Sequence, residues 1–99
     1  MLNSANAKLQ KLAVANHVPA WNVYVDRRRA TFWNESDEYL TLLGKNGNEV
    51  FRIQETAYSA WGRMEEAMKA YAATDECKNE WLRYVAEGLP VCGLLGLAL

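Results

Sequence analysis

One histidine, two cysteines and two prolines are all that this 99-residue chain carries of the residue types that most often ligate metals, form cross-links or break elements. Each shortage excludes something. Cys77 and Cys92 are too few for the disulfide framework of a small secreted domain, and they form no CxxC pair. A structural zinc site needs about four N or S ligands at set spacings, and His17, Cys77 and Cys92 are the whole supply. No metal and no cofactor is expected. Charge of one sign is also missing: 11 Lys and Arg stand against 12 Asp and Glu, a net charge of −1. That balance excludes both a polycationic phosphate-binding surface and an acidic mimic of nucleic acid. The start, Met1-Leu2-Asn3-Ser4-Ala5, has no basic segment leading into an apolar run. It predicts no export signal, hence a cytoplasmic protein with reduced thiols. The longest uncharged apolar stretch, residues 90–99, is half of the roughly 20 residues a membrane span requires.

Catalytic constellations are equally sparse. Any imidazole mechanism must run through His17, with a thiol or serine that no local motif brings near it. A histidine at a helix end reads instead as a capping or surface residue. Glu65-Glu66 and Asp75-Glu76 are sequential neighbours, which diverge on a helix and read as solvated faces. Gly44-Lys45-Asn46-Gly47-Asn48 lacks the Gly-Lys-Ser/Thr ending of a phosphate loop and reads as a turn. The chain is therefore not expected to be an enzyme.

What is present is material for a core. Half the residues, 51%, are hydrophobic, with four tryptophans, five tyrosines and two phenylalanines. That suits one domain over residues 1–99 with a single core. Ser4 can cap a helix over about residues 4–16, with Ala5, Leu9, Leu12 and Ala13 at helical spacing and Val18-Pro19 ending it. From Trp21 the apolar period becomes two, and this predicts two short strands, one through Trp21, Val23 and Val25 and one through Ala30 and Phe32. The turn between them centres on Arg27 and Arg28, so Val25 faces Ala30, Val23 faces Phe32 and Asp26 meets Arg29, with Trp21 and Phe32 on the core side. Asn46-Gly47 predicts a second hairpin over about 39–54, because both residues accept the positive φ of a type I′ turn. Leu40, Leu42, Phe51 and Ile53 then share a face, and Tyr39, Leu43, Val50 and Arg52 the other. A competing pattern has Ser36 capping a short helix that ends at Gly44.

After Glu55 the spacing of Ala57, Trp61, Met64, Met68 and Tyr71 predicts a long helix with a core stripe and a Glu65–Lys69 pair. Thr74-Asp75 recaps a shorter helix through Cys77, Trp81, Tyr84, Val85 and Leu89, stopped by Gly88 and Pro90. The expected class is α+β: an N-terminal helix, a four-strand antiparallel meander, two C-terminal helices and an apolar tail over 90–99.

Two surfaces stand out for contact. Arg27, Arg28 and Arg29 at a hairpin tip, with Tyr24 and Trp33, combine the residue types that dominate interface hot spots. Leu94, Leu95 and Leu97 of the tail are the second set, an exposed area large enough to mark an interface, either with another protein or with an identical subunit as a homodimer. By exclusion, the expected function is a small protein-binding inhibitor or adaptor that occupies a macromolecular surface. The profile resembles the host-directed or defence-blocking proteins of bacterial viruses. The alternative is RNA or single-stranded DNA binding through Arg27 to Arg29, guanidinium groups on phosphates and rings on bases. The order helix, strands, helix is similar to the double-stranded-RNA-binding domain, and residues 65–73, Glu-Glu-Ala-Met-Lys-Ala-Tyr-Ala-Ala, resemble its last helix. That family opens the helix with phosphate-touching lysines, where Glu65-Glu66 would repel phosphate.

Overall fold

A computed structural model describes residues 3–29 and 36–88. Helix α1 (Asn3–Ala15) is followed by strands β1 (Val23–Arg29), β2 (Ser36–Leu43) and β3 (Glu49–Gln54), then helices α2 (Ala60–Ala72) and α3 (Asp75–Ala86). The class is α+β; among the described residues the sheet has three antiparallel strands in the order β1-β2-β3, not the four of the expected meander.

Helix α1 begins one residue before Ser4, which therefore lies inside the first turn. Leu9 and Ala13 are fully buried. The helix stops where His17 takes a left-handed φ of 64° and the Val18 N–H donates to the Ala13 carbonyl at 2.8 Å. This closure is usually made by glycine or asparagine, and histidine is among the residues that tolerate it. Pro19 then blocks any further turn.

The first hairpin corrects the sequence reading. β1 does not turn at the arginines but runs straight through them, pairing Val23 with Leu42, Val25 with Leu40, Arg27 with Glu38, Arg28 with Asp37 and Arg29 with Ser36. Alternation alone could not choose between partners, because 21–25 and 30–33 match each other as well as 23–29 matches 36–43. Charge favours the extended register, which joins Arg27 to Glu38 across the strands, where the shorter one stacks the arginines at a tip. The expected strand through Ala30 and Phe32 lies outside the described residues. Ser36–Leu43 is strand throughout, so the alternative helix over it is excluded.

The second hairpin forms as expected. Asn46 and Gly47 have φ of 69° and 78°, and Leu40 pairs with Ile53 and Leu42 with Phe51. A register shift after Leu42 accommodates the loop. Leu40, Leu42, Val23 and Ile53 pack with Leu9, Ala13, Val18, Met64, Met68, Tyr71 and Cys77 in one core. Trp21, expected on that side, instead lies in a 3-10 turn (Ala20–Asn22) before β1 and is 38% exposed.

Helix α2 starts at Ala60, not near Glu55. The Glu55 N–H donates back to the Glu38 carbonyl at 2.7 Å, and Ser59 is left-handed with φ of 65°, so residues 55–59 are spent on reversing the chain. Thr74 caps α3 as expected, its hydroxyl accepting from the Cys77 N–H at 3.2 Å. Among the described residues no helix is long and apolar enough to cross a membrane.

Two glycines should respond oppositely to a methyl group. A Cβ on Gly44 would lie 2.9 Å from Glu76 Oε2 and 3.0 Å from Val50 Cγ2, whereas one on Gly62, in the exposed interior of α2, meets nothing within 4 Å. Gly44→Ala is expected to destabilise by about 1–3 kcal/mol. Gly62→Ala should stabilise by about 0.5–1 kcal/mol. Urea unfolding of the two variants checks both signs, and a stabilised Gly44→Ala would refute the close approach.

Candidate functional site

The sheet separates the residues singled out in the sequence. Tyr24 and Arg27 are three apart on one strand, so they point to opposite faces. Tyr24 is 38% exposed on the face away from the helices. Arg27 is exposed, and its guanidinium donates to Glu38 at 2.5 Å across the strand pair. Arg28 and Arg29 sit opposite Asp37 and Ser36. Trp33, Leu94, Leu95 and Leu97 lie outside the described residues. The structure therefore does not gather a basic tip; it spreads the arginines along a strand and sets acid opposite two of them.

On the helix-free face, Arg52 organises the polar groups. Its Nη1 lies 2.9 Å from Asp26 Oδ2, its Nε 3.0 Å from Glu49 Oε1, and its guanidinium 5.4 Å from the Tyr39 ring centre. Asp26 thus meets Arg52. Thr41, between Tyr24 and Arg52 in the register, is fully buried and its hydroxyl has no partner.

Exposed apolar side chains also lie on α3. Cys77 and Tyr84, seven residues apart, turn inward and are 0% and 5% exposed. Lys78, Leu82 and Val85 are carried round to the other side, where Leu82 is 67% and Val85 46% exposed. Trp81 lies between the two, 5.1 Å from the His17 ring and 5.4 Å from Tyr84. Tyr84 meets Trp21 edge-on at 5.1 Å, and Arg83 lies over Trp21 at 5.4 Å. A shallow groove of about 310 Å³, lined by Asn16, His17, Ala72, Lys78, Trp81 and Leu82, runs along this side. The sequence reading placed Val85 in the packed stripe and passed over Leu82. The signal was available, since a leucine next to Trp81 and off the 77, 81, 84 spacing cannot face the same core.

α3 is held in this rotation by Glu76. Its carboxylate accepts from the Tyr71 hydroxyl at 3.0 Å and from the Lys45 N–H, so it is a structural anchor and not the solvated group expected. Asn22, buried, adds a second tie by donating to Glu80 at 2.8 Å. The Cys77 thiol donates to the His17 backbone carbonyl at 3.6 Å. Burial, with Glu80 and Glu76 nearby, pushes the thiol up to about 11, so it stays protonated and unreactive at neutral pH. It touches the histidine main chain, and no nucleophile–base pair is formed there.

A second groove, of about 420 Å³, lies between α1 and α2 and is lined by Lys8, Lys11, Leu12, Trp61, Gly62 and Glu65. Lys8 Nζ lies 4.3 Å from the Trp61 ring centre, and Glu65 is 3.9 Å from Lys69. Among the described residues no group of three or more His, Cys, Asp or Glu converges as metal ligands would. Compared with protein-family models, curated proteins and solved structures, the chain matches none.

The protonated anchor groups set a pH window. Cys77 is raised from 9 to about 11 and Tyr71 is raised above its ordinary 10, by burial first and by Glu76 second. A raised acid favours the native state while it keeps its proton, so this stability is complete below pH 9 and is lost as pH climbs through the folded-state values. The melting temperature should hold steady from neutrality and fall progressively above about pH 9. In Cys77→Ala the fall should begin about one pH unit higher. Thermal melts against pH decide it, and a flat profile to pH 11 would be inconsistent with burial of these groups.

Proposed function

We propose that this protein is a non-enzymatic binding module that acts by occupying a surface of another protein, as an inhibitor or adaptor, through the outer face of α3. One observation carries the reading: Trp81, Leu82 and Val85 form a stripe that the other described residues leave open, next to a ladder of rings that fixes Trp81 in place. Exposed apolar surface of this kind marks interaction sites, and a tryptophan held by its neighbours loses little entropy on binding. Lys78 at the rim and Arg83 over Trp21 favour a partner with carboxylates around an apolar centre. The small, motif-free α+β profile keeps host-interaction or anti-defence proteins of bacterial viruses as the expected setting.

Binding of RNA or single-stranded DNA is the second reading, and the observation favouring it has moved. With Arg27 paired to Glu38, the support comes from Lys8 and Lys11 beside Trp61, two ammonium groups next to a ring on which a base could stack.

Leu82→Asp combined with Val85→Lys should change stability by no more than about 0.5 kcal/mol, because both side chains are already exposed. The pair should abolish a co-purifying protein that the unaltered chain captures from lysate of its source cells. Recovery of the same protein by both chains, or of background alone, refutes the α3 reading. For the second reading, a gel shift at low salt should weaken steeply as salt is raised and should be lost in Lys8→Ala with Lys11→Ala. No shift at low salt removes it.

A further inference from the structure

The dipeptide that makes the β2–β3 turn is also the most labile in the chain. Asparagine is a thermolabile residue, and a following glycine makes it more so, because no side chain shields the backbone nitrogen that can attack the amide carbon. Asn46-Gly47 is the only Asn-Gly in the sequence, and both residues are exposed. We propose that Asn46 is a self-modification site, where the Gly47 nitrogen closes a succinimide on the Asn46 side chain and water reopens it, and that the Glu76 anchor of α3 gates the reaction. The bond from the Gly47 nitrogen to Asn46 Cγ forms as the Cγ–Nδ2 bond breaks, and the amide group leaves as ammonia with the Gly47 proton. Water then opens the ring at Cγ to give aspartate, or at the backbone carbonyl carbon to give isoaspartate. The chemistry does not depend on what α3 binds.

The folded turn holds this reaction back. Asn46 has a ψ of 11°, which nearly eclipses the Gly47 nitrogen with Asn46's own nitrogen and turns it away from Cβ. The ring cannot close without a large rotation. The Gly47 N–H is also engaged, donating to the Gly44 carbonyl at 3.0 Å. The loop is tied at its flanks too: the Gly44 N–H donates to the Asn48 carbonyl at 2.7 Å, and the Lys45 N–H donates to the Glu76 carboxylate, which the Tyr71 hydroxyl holds at 3.0 Å. Rotation at Asn46 therefore requires the loop to open and Lys45 to leave Glu76. Isoaspartate routes the main chain through Cβ and adds an atom between the Gly44 carbonyl and the Gly47 N–H, so the closed turn is lost and α3 loses its tie to the loop.

The full chain is incubated in mildly alkaline buffer, and the tryptic peptide 46–52 is followed by fragment-ion mass spectrometry, with Asn48 in the same peptide as internal control. Conversion is expected at Asn46 first. In urea it should run at least about tenfold faster than in the folded chain, the ratio set by a loop that opens against hydrogen bonds, one of them to a carboxylate. Glu76→Gln and Tyr71→Phe should each raise the folded-state rate several-fold, while Ala13→Gly, which weakens the fold from α1, should leave it unchanged. Circular dichroism checks that each variant is folded, and if Glu76→Gln is not, Tyr71→Phe carries the comparison. The isoaspartate form, isolated by ion exchange, should melt at a lower temperature than the unaltered chain. Equal rates in the folded and urea-unfolded chain overturn the gate, as does an anchor variant no faster than the unaltered chain or an equal acceleration by Ala13→Gly. Conversion at Asn3 or Asn48 ahead of Asn46 overturns the site, and an unchanged melting temperature of the isoaspartate form overturns its effect on α3.

Discussion

The Glu76 carboxylate joins three parts of the chain that are distant in sequence, and the orientation of the last helix follows from it. It sits in the first turn of α3, accepts from Tyr71 near the end of α2, and accepts from the Lys45 N–H in the β2–β3 loop. Gly44 leaves room for that approach. A half-buried carboxylate costs free energy unless it is hydrogen-bonded, so the site holds together only with all three elements in place. Once they are, Cys77 and Tyr84 must turn inward, and Leu82 and Val85 must turn out.

The exposed stripe is thus a consequence of how the core is closed. Leu40 and Leu42 on the central strand meet Met64 and Met68 on α2, all fully buried. α1 packs beside β1, where Asn6 Oδ1 accepts the Val25 N–H at 3.0 Å and protects part of the sheet edge. With one sheet face and three helices already sharing a core, a helix of 12 residues has one side left over. That side carries the exposed Leu82 and Val85, with Trp81 and Lys78 beside them.

The arginines show how tertiary pairing changes the meaning of a motif. Three consecutive arginines read as a positive tip when only the local alternation is considered. In the sheet, each is matched in register with a residue of β2, and Glu38 answers Arg27 directly. The positive potential that would draw phosphate is reduced by a neighbour eleven residues further along in the pairing hairpin. The lysines of α1, which attracted no notice in the sequence, keep theirs because no carboxylate of the described residues pairs with them.

Local physics decided the elements and the composition decided what chemistry was scarce. The core stripe of α2, the Asn46-Gly47 turn, the Thr74 cap and the Gly88 stop all depend on residues within a turn or two of each other, where spacing and φ preference suffice. Strand partners, the fate of Trp21, the role of Glu76 and the exposure of Leu82 depend on contacts between separate elements, such as Val23 with Leu42, Trp21 with Tyr84 and Lys45 with Glu76. There, several pairings satisfy the same apolar alternation, and only charge matching and the shape of the filled core select among them.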